Sequence, residues 1–562
     1  MNRAQKRHQQ NLAKTAAKNE KRRHPTPARG QAEGGVQTYD LQGLIQKGIQ
    51  VHQAGQLPEA EAIYRQVLGV EPDHADANHL LGVIADQVGR HEIAVQRISK
   101  AIEKNPIDAA YHCNLGNALH EQGRLDDAVA SYRKALVIKP DYAEAHSNLG
   151  NALREQGRLD DAVASCRKAL AIKPDLAGAH NNLGNAFKDL GRLDDAVASY
   201  HKALALKLDF PEVHSNLGTA LQALGKLDEA VTSYHKALAI NPDFAEAHNN
   251  LSFTLLNKGR LKEGLDEHEW RWRKVERISR ARCFSKPLWD GIADLKGRII
   301  LLWGEQGPQD MTIWSSCLPH VSARAGHCIV ECPLKLVPLF ARSFPDVEVR
   351  PENRRSDAER DDFDFHLPMG SLFRHFLPDL TEVSGVKAFL APDPDRVAFW
   401  KQRLGEIGSG PFVGISWKSP LMTPARSPNY TELADWAPTF AYREAVFLNL
   451  QCKDYEGDLA VAKRDFGVTV HDFGDLDLYD DLDEVAALAA ALDVAISVST
   501  AVAAITAGVG TPTWVITWRQ SPWNNFLFAP RGPSVRFFER DTGESWDAVF
   551  VSIAECLAAR NF

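Results

Sequence analysis

The sequence predicts an α-helical solenoid over the first half of the chain and a two-lobed α/β half after it. Three observations predict this. Glycine, alanine and proline recur every 34 residues from about 41 to 275, the mark of stacked helix pairs. From residue 298 short apolar runs alternate with helical stretches, the pattern of parallel sheets covered on both faces. The chain has 562 residues, too many for one ordinary core.

The period runs in several registers. Glycine stands at 55, 89, 123, 157, 191, 225 and 259, and again at 48, 82, 116, 150, 184 and 218. Alanine stands at 60, 94, 128, 162, 196 and 230, and proline at 72, 106, 140, 174 and 242, with Leu208 as the exception. Small residues allow two antiparallel helices to cross closely, Tyr64, Tyr132, Tyr200 and Tyr234 supply bulk on the second helix, and proline stops it. This is the tetratricopeptide (TPR) pattern: six full repeats over 41–244 and a partial seventh, in which His268 replaces the aromatic. Such units cannot bury their apolar faces alone, so they stack and leave a groove lined by first helices.

Asn114, Asn148, Asn182, Asn216 and Asn250 share one register of the first helix. Asparagine is a poor helix-interior residue, and its amide can clamp the backbone of an extended peptide. The alternative is that duplicated repeats share residues whose amides bond within each unit. The phrases NLGNAL and AEAHNNLG resemble the repeats of protein O-linked sugar transferases, and that resemblance implies an asparagine ladder holding the acceptor polypeptide. His112, His146, His180, His214 and His248 recur one per repeat, which prevents them from converging on one metal.

Composition excludes some roles. Acidic residues outnumber basic ones, 73 to 65, for a net charge of −8, so nucleic acid is not an expected partner. The first thirty residues hold nine Lys or Arg against Glu20 alone; residues 1–38 are expected to be a disordered basic tail, without the apolar stretch of a secretory signal. No run is long enough to span a bilayer. Eight cysteines without a CxxC pair are expected to be reduced thiols in a cytoplasmic protein.

The period is lost over 265–297, and residues 276–297 are expected to be a junction docking the solenoid onto the next domain. Strands are expected at 298–303, 327–332, 347–350 and 363–367 in a first lobe (298–390), and at 412–417, 446–451, 468–473, 494–499 and 513–518 in a second (391–562). Helices are expected at 309–324, 394–405 and 482–492. Ligands of open α/β sheets bind beyond the carboxyl ends of the strands, and polar residues follow several of these strands. The first loop is Gly304-Glu305-Gln306-Gly307-Pro308-Gln309-Asp310; Asp310 reads as a helix cap or as a general base on an acceptor hydroxyl. Lys418 and Gln451 follow two strands of the second lobe, where the lysine suits a phosphate or is an ordinary surface lysine. Ser499 and Thr500 open a small-residue helix and read as an anion cradle or a plain cap. Ser521 and Trp523 follow the last strand and suit a base or sugar. The acidic run Asp475, Asp477, Asp480, Asp481 and Asp483 fits helix capping, and no metal is expected.

The series WDG, LKGRIILLWGEQG, GISWKS, NLQ, LDVAISVSTAVA and SPW resembles bacterial TPR-fused sugar transferases with a two-lobed, Rossmann-like GT-B half, and is most similar to flagellin-modifying transferases of nonulosonic acids. The resemblance covers about residues 265–545. It implies a cytoplasmic protein O-glycosyltransferase whose repeats hold an acceptor protein such as flagellin. Asp310 would then be the base, Glu305, Gln306 and Gly307 the first-loop residues, and Lys418, Gln451, Ser499, Thr500, Ser521 and Trp523 the donor site. The donor would be a nucleotide sugar, CMP-linked for a nonulosonate, with no further cofactor. Two positions depart from the family's pattern: Ser499 replaces an aspartate and Ala504 a histidine. The alternative is an inactive TPR adaptor with a degenerate transferase domain.

Overall fold

A computed structural model describes residues 40–273, 282–305, 307–353, 357, 360–381, 388–419, 430–518, 535–541, 544–560 and 562, with the side chains of 377–381 left aside. The expected tail, 1–38, lies outside these residues. The chain divides into two compact units, 1–140 and 141–562, so the division falls inside the repeats. Contacts in a repeat array are between neighbours, and such an array has no single core to hold it together.

The first unit holds three helix pairs: Leu41–Gln53 with Leu57–Val70, Ala75–Gln87 with His91–Lys104, and Ala109–Glu121 with Leu125–Ile138. Gly48 and Gly116 face the tyrosines of the second helices: a Cβ would come within 2.3 Å of the Tyr64 ring and 2.5 Å of the Tyr132 ring. Burying such a ring is worth roughly 1.5–3 kcal/mol. The Tyr132 hydroxyl donates to Asn117 at 2.9 Å, so its polar end is also satisfied. Gly55, Gly89 and Gly123 end the first helices at φ of +77°, +75° and +73°, a conformation costly for any other L-residue.

The second unit opens with four more pairs: Ala143–Glu155 with Leu159–Ile172, Ala177–Asp189 with Leu193–Leu206, Pro211–Ala223 with Leu227–Ile240, and Ala245–Asn257 with Leu261–His268. Where Leu208 replaces proline, Pro211 opens the next helix at its first position, a site that needs no N–H. In the last pair the registers exchange sizes. Ser252 stands in the glycine register and Gly264 in the alanine register, and the buried Ser252 hydroxyl donates to the Gly264 carbonyl at 2.7 Å. A 3-10 turn, Glu269–Arg273, follows.

Two parallel sheets complete this unit. The first, in the order β3-β2-β1-β4, contains β1 (Ile299–Trp303), β2 (His327–Cys332), β3 (Glu348–Pro351) and β4 (Phe365–Pro368). The second, in the order β10-β9-β8-β5-β6-β7, contains β5 (Phe412–Ser416), β6 (Val446–Asn449), β7 (Val470–His471), β8 (Val494–Val498), β9 (Thr513–Trp518) and β10 (Val535–Arg540). Both orders place a switch point beside the first strand, at β1/β4 and at β5/β8, where open α/β sheets bind ligands. The nine expected strands are present; β10 was not expected.

The helix expected over 309–324 is broken into Pro308–Trp314, a 3-10 turn Ser315–Cys317, and Leu318–Ser322. Pro319 removes an N–H and crowds the carbonyl four residues back, which interrupts the ladder. One apolar cluster joins Leu256 and Leu265 of the last helix pair to Trp289, Ile300, Leu302 and Trp314 in and around the first sheet and to Leu448, Val485 and Ala503 in and around the second. Trp289, from the expected junction, is thus part of the core.

Candidate functional site

β1 ends at Trp303, and the chain turns at Gly304, where a Cβ would lie 2.5 Å from the Met311 sulfur. Glu305 follows and is buried. Its carboxylate accepts two bonds from Arg271, from Nε at 2.9 Å and from Nη2 at 2.8 Å. Gly307 is the N-cap of helix Pro308–Trp314. Asp310 is therefore not the cap: it stands half-buried in the first turn, where the helix dipole favours a negative charge. Gln306 lies outside the described residues.

The two sheets' strand-end segments meet. Gln309 Nε2 donates to Ser499 Oγ at 2.9 Å, joining the first turn of the helix after β1 to the loop after β8. Thr500 is the N-cap of helix Ala501–Gly508, yet its side chain makes no capping bond; its hydroxyl pairs with Ser497 Oγ at 3.2 Å. A plain Ser/Thr cap does not describe it.

On the second sheet, Gln451 organises the end of β5. Its Oε1 accepts from Ser416 Oγ at 3.2 Å and from the backbone N–H groups of Trp417 and Lys418 at 3.2 and 3.1 Å. Its Nε2 is buried and has no hydrogen-bond partner among the described residues. The Lys418 ammonium is paired with Asp458 at 2.7 Å, each partly buried, and Trp417 Nε1 donates to the same carboxylate at 2.9 Å. The structure thus brings Glu305, Gly307, Asp310, Lys418, Gln451, Ser499 and Thr500 to strand ends at or beside the two switch points. Ser521 and Trp523 lie outside the described residues.

Sequence reasoning missed Arg271, Asp458 and Gln309 as partners in this site. Arg271 stood in a Trp-Arg-Trp-Arg stretch at the end of the repeats, and no period singles it out. The acidic run is spent structurally. Asp481 caps helix Leu482–Ala489 through Glu484 N–H, Asp477 accepts from Tyr479 and Asp480 N–H at 2.9 Å, and Asp475 and Asp483 pair with Arg403 and Arg342. Among the described residues no group of three or more His, Cys, Asp or Glu could hold a metal ion, and no helix is long and apolar enough to cross a membrane. Burial pushes the thiols of Cys166, Cys328 and Cys332 up to about 12.

The ladder asparagines use their amide hydrogens between repeats. In the first unit Asn114 Nδ2 donates to His79 Nε2 at 2.8 Å. In the second, Asn182 Nδ2 donates to Ser147 Oγ at 3.1 Å, Asn216 Nδ2 to Asn181 Oδ1 at 3.0 Å, and Asn250 Nδ2 to Thr219 Oγ1 at 3.5 Å. Each partner belongs to the preceding repeat, whereas the alternative to a peptide clamp placed these bonds inside each unit. Asn182 Nδ2 also reaches the Ser147 carbonyl at 3.3 Å, and Asn114 Oδ1 accepts from Asn117 Nδ2 at 3.5 Å. Asn148 is also engaged within the protein. The histidine series braces the turns: Nε2 of His112 donates to the Pro106 carbonyl at 2.9 Å, and Nε2 of His180 to that of Pro174 at 3.0 Å.

The family described as "Tetratricopeptide repeat" matches residues 51–115, and that described as "TPR repeat" matches 116–153, 150–191, 184–225 and 223–259. Protein FlbA of Caulobacter vibrioides is 32% identical over 285 residues, 48% of this chain and 48% of that protein. The chain therefore spans about half the length of the curated relative it matches. A thermophilic TPR protein of Thermus thermophilus is similar at 27% identity over 32% of this chain and 99% of that one, with a TM-score of 0.30. YrrB, described as a TPR protein with an unusual peptide-binding site, is similar at 26% identity over 31% of this chain and 91% of that one, with a TM-score of 0.26. Residues 51–259 of this chain carry tetratricopeptide repeats, and two parallel sheets follow them.

Proposed function

We propose that this chain is a cytoplasmic protein O-glycosyltransferase of the GT-B type: the repeats hold a protein acceptor, with flagellin the acceptor that the resemblance names, and the two sheets transfer a sugar from a nucleotide donor. The observation that supports the reading is the contact of the helix start after β1 with the loop after β8 through Gln309 and Ser499, beside the switch points of two parallel sheets. In this reading Asp310 takes the proton of a serine or threonine hydroxyl. Ser499, Thr500 and the first amides of helix Ala501–Gly508 face charge that builds on the leaving phosphate, with Gln451 shaping the β5 loop and Lys418 supplying a cation.

A second reading, an adaptor that retains the fold without the chemistry, is favoured by Lys418. Its ammonium is already neutralised by Asp458, so a phosphate would have to compete for it. One experiment separates the two. The full chain is incubated with flagellin and CMP-, UDP- and GDP-linked sugars, and added mass on flagellin is read by mass spectrometry. The enzyme reading expects transfer from one donor class and a loss of about 10²–10⁴-fold with Asp310→Asn. Flagellin bound but left unmodified by every donor would make the chain an adaptor.

A further inference from the structure

The guanidinium of Arg271 is fully buried, and all five of its N–H groups are used. Nε and Nη2 hold the two Glu305 oxygens at 2.9 and 2.8 Å, Nη2 also reaches Ser371 Oγ at 2.9 Å, and Nη1 reaches Glu269 Oε1 at 2.6 Å and the His268 carbonyl at 3.2 Å. The Glu305 side chain is likewise fully buried. A second residue is shaped to this carboxylate: a Cβ on Gly370, just after β4, would lie 1.9 Å from Glu305 Oε1. Such a pair has a poor claim to stability, because apolar residues of similar volume often serve as well or better. What a bidentate fork supplies is direction. Here the fork grips the residue that follows Gly304, and this loop leads into helix Pro308–Trp314, whose first turn carries Asp310 and the Gln309 that reaches Ser499.

We propose that Arg271 is a positioning residue: the turn that closes the repeats sets the angle of the loop after β1, and through it Asp310 and Gln309. The repeats are then more than a tether for a partner, since their last turn completes the site. Arg271 touches no reacting group and acts through Glu305. The kinetic arm of the test rests on the glycosyltransferase reading; the structural arm does not.

The test uses the full chain with Arg271→Lys, which keeps the charge and loses the fork, and with Glu305→Gln. Hydrogen exchange is followed in peptides over 300–314, with 210–240 and 412–418 as references. The expected result is exchange at least about tenfold faster in 300–314 with the references unchanged, and a transfer kcat at least about tenfold lower at an unchanged donor KM. Exchange that stays the same, or rises equally everywhere, overturns the proposal, as does a loosened loop with full kcat. Should neither variant fold, Ser371→Ala removes one of the five acceptors and is expected to give a smaller rise confined to the same peptide. If the wild type transfers no sugar, the enzyme reading falls, and the exchange data alone decide the positioning role.

Discussion

The repeats and the sheets bury different chemistry. Inside the helix pairs the fully buried side chains are uncharged, most of them small or apolar, such as Ala196, Ala203, Val213 and Tyr200. Around the first sheet the buried side chains include charges: Arg271 with Glu305, and Arg282 with Glu331 and Asp357. In the first case shape does most of the selecting, and much the same solution is repeated every 34 residues. In the second, each charge needs a particular partner, and the burial penalty makes a wrong partner costly. Burial works against the Arg271 guanidinium, yet Glu305 and Glu269 outweigh it and hold its pKa above the ordinary value.

The sharpest test of this contrast is removal of one charge. Arg271→Met leaves Glu305 buried and unpaired and is expected to cost about 3–5 kcal/mol in urea melts, most of it recovered by adding Glu305→Leu. A single variant as stable as the wild type would show that the pair is not a buried charge.

Acid is expected to reach both regions. Burial holds His79 in the repeats and His366 in the first sheet at about 4. Each accepts a hydrogen bond that requires a neutral ring, His79 from Asn114 Nδ2 at 2.8 Å and His366 from Trp303 Nε1 at 3.3 Å. In the unfolded chain a histidine binds a proton near pH 6.5. Their contribution is therefore complete above pH 6.5 and falls as pH drops toward 4, by up to about 3 kcal/mol each. Melts between pH 7 and 4 check this, and His79→Gln or His366→Gln should each flatten the profile in part.

Shape is tested within a pair. A Cβ on Gly184 would lie 2.6 Å from the Tyr200 ring, so Gly184→Ala is expected to cost about 1–3 kcal/mol. Pairing it with Tyr200→Cys should not relieve the overlap, because opposite Gly150 a Cβ would still lie 2.4 Å from the Cys166 sulfur. The smallest effect is a gain. Leu208 is exposed and follows an extended Lys207 at φ −142° and ψ 99°, close to the −132° and 91° of Lys139 before Pro140. Leu208→Pro should therefore stabilise by about 0.4–1 kcal/mol through the unfolded chain. A loss there would show that the fifth repeat turns differently from its neighbours.

The helix pairs, nine of the strands and the loops that close them are legible in the residue pattern. Those features rest on short-range physics: a 34-residue period of small residues, the φ limits of glycine and proline, and runs of apolar residues that a sheet covered on both faces requires. The missed strand, Val535–Arg540, is broken by Arg536, Glu539 and Arg540 and lacks such a run. Tertiary structure alone decided the partners. Arg271 finds Glu305 and Ser371, Lys418 finds Asp458, Gln309 finds Ser499, and the ladder asparagines find the preceding repeat. A local pattern can require that a residue be small or apolar. Which charge or amide meets which other depends on where the folded chain brings distant segments together, and many pairings would satisfy the same residue types.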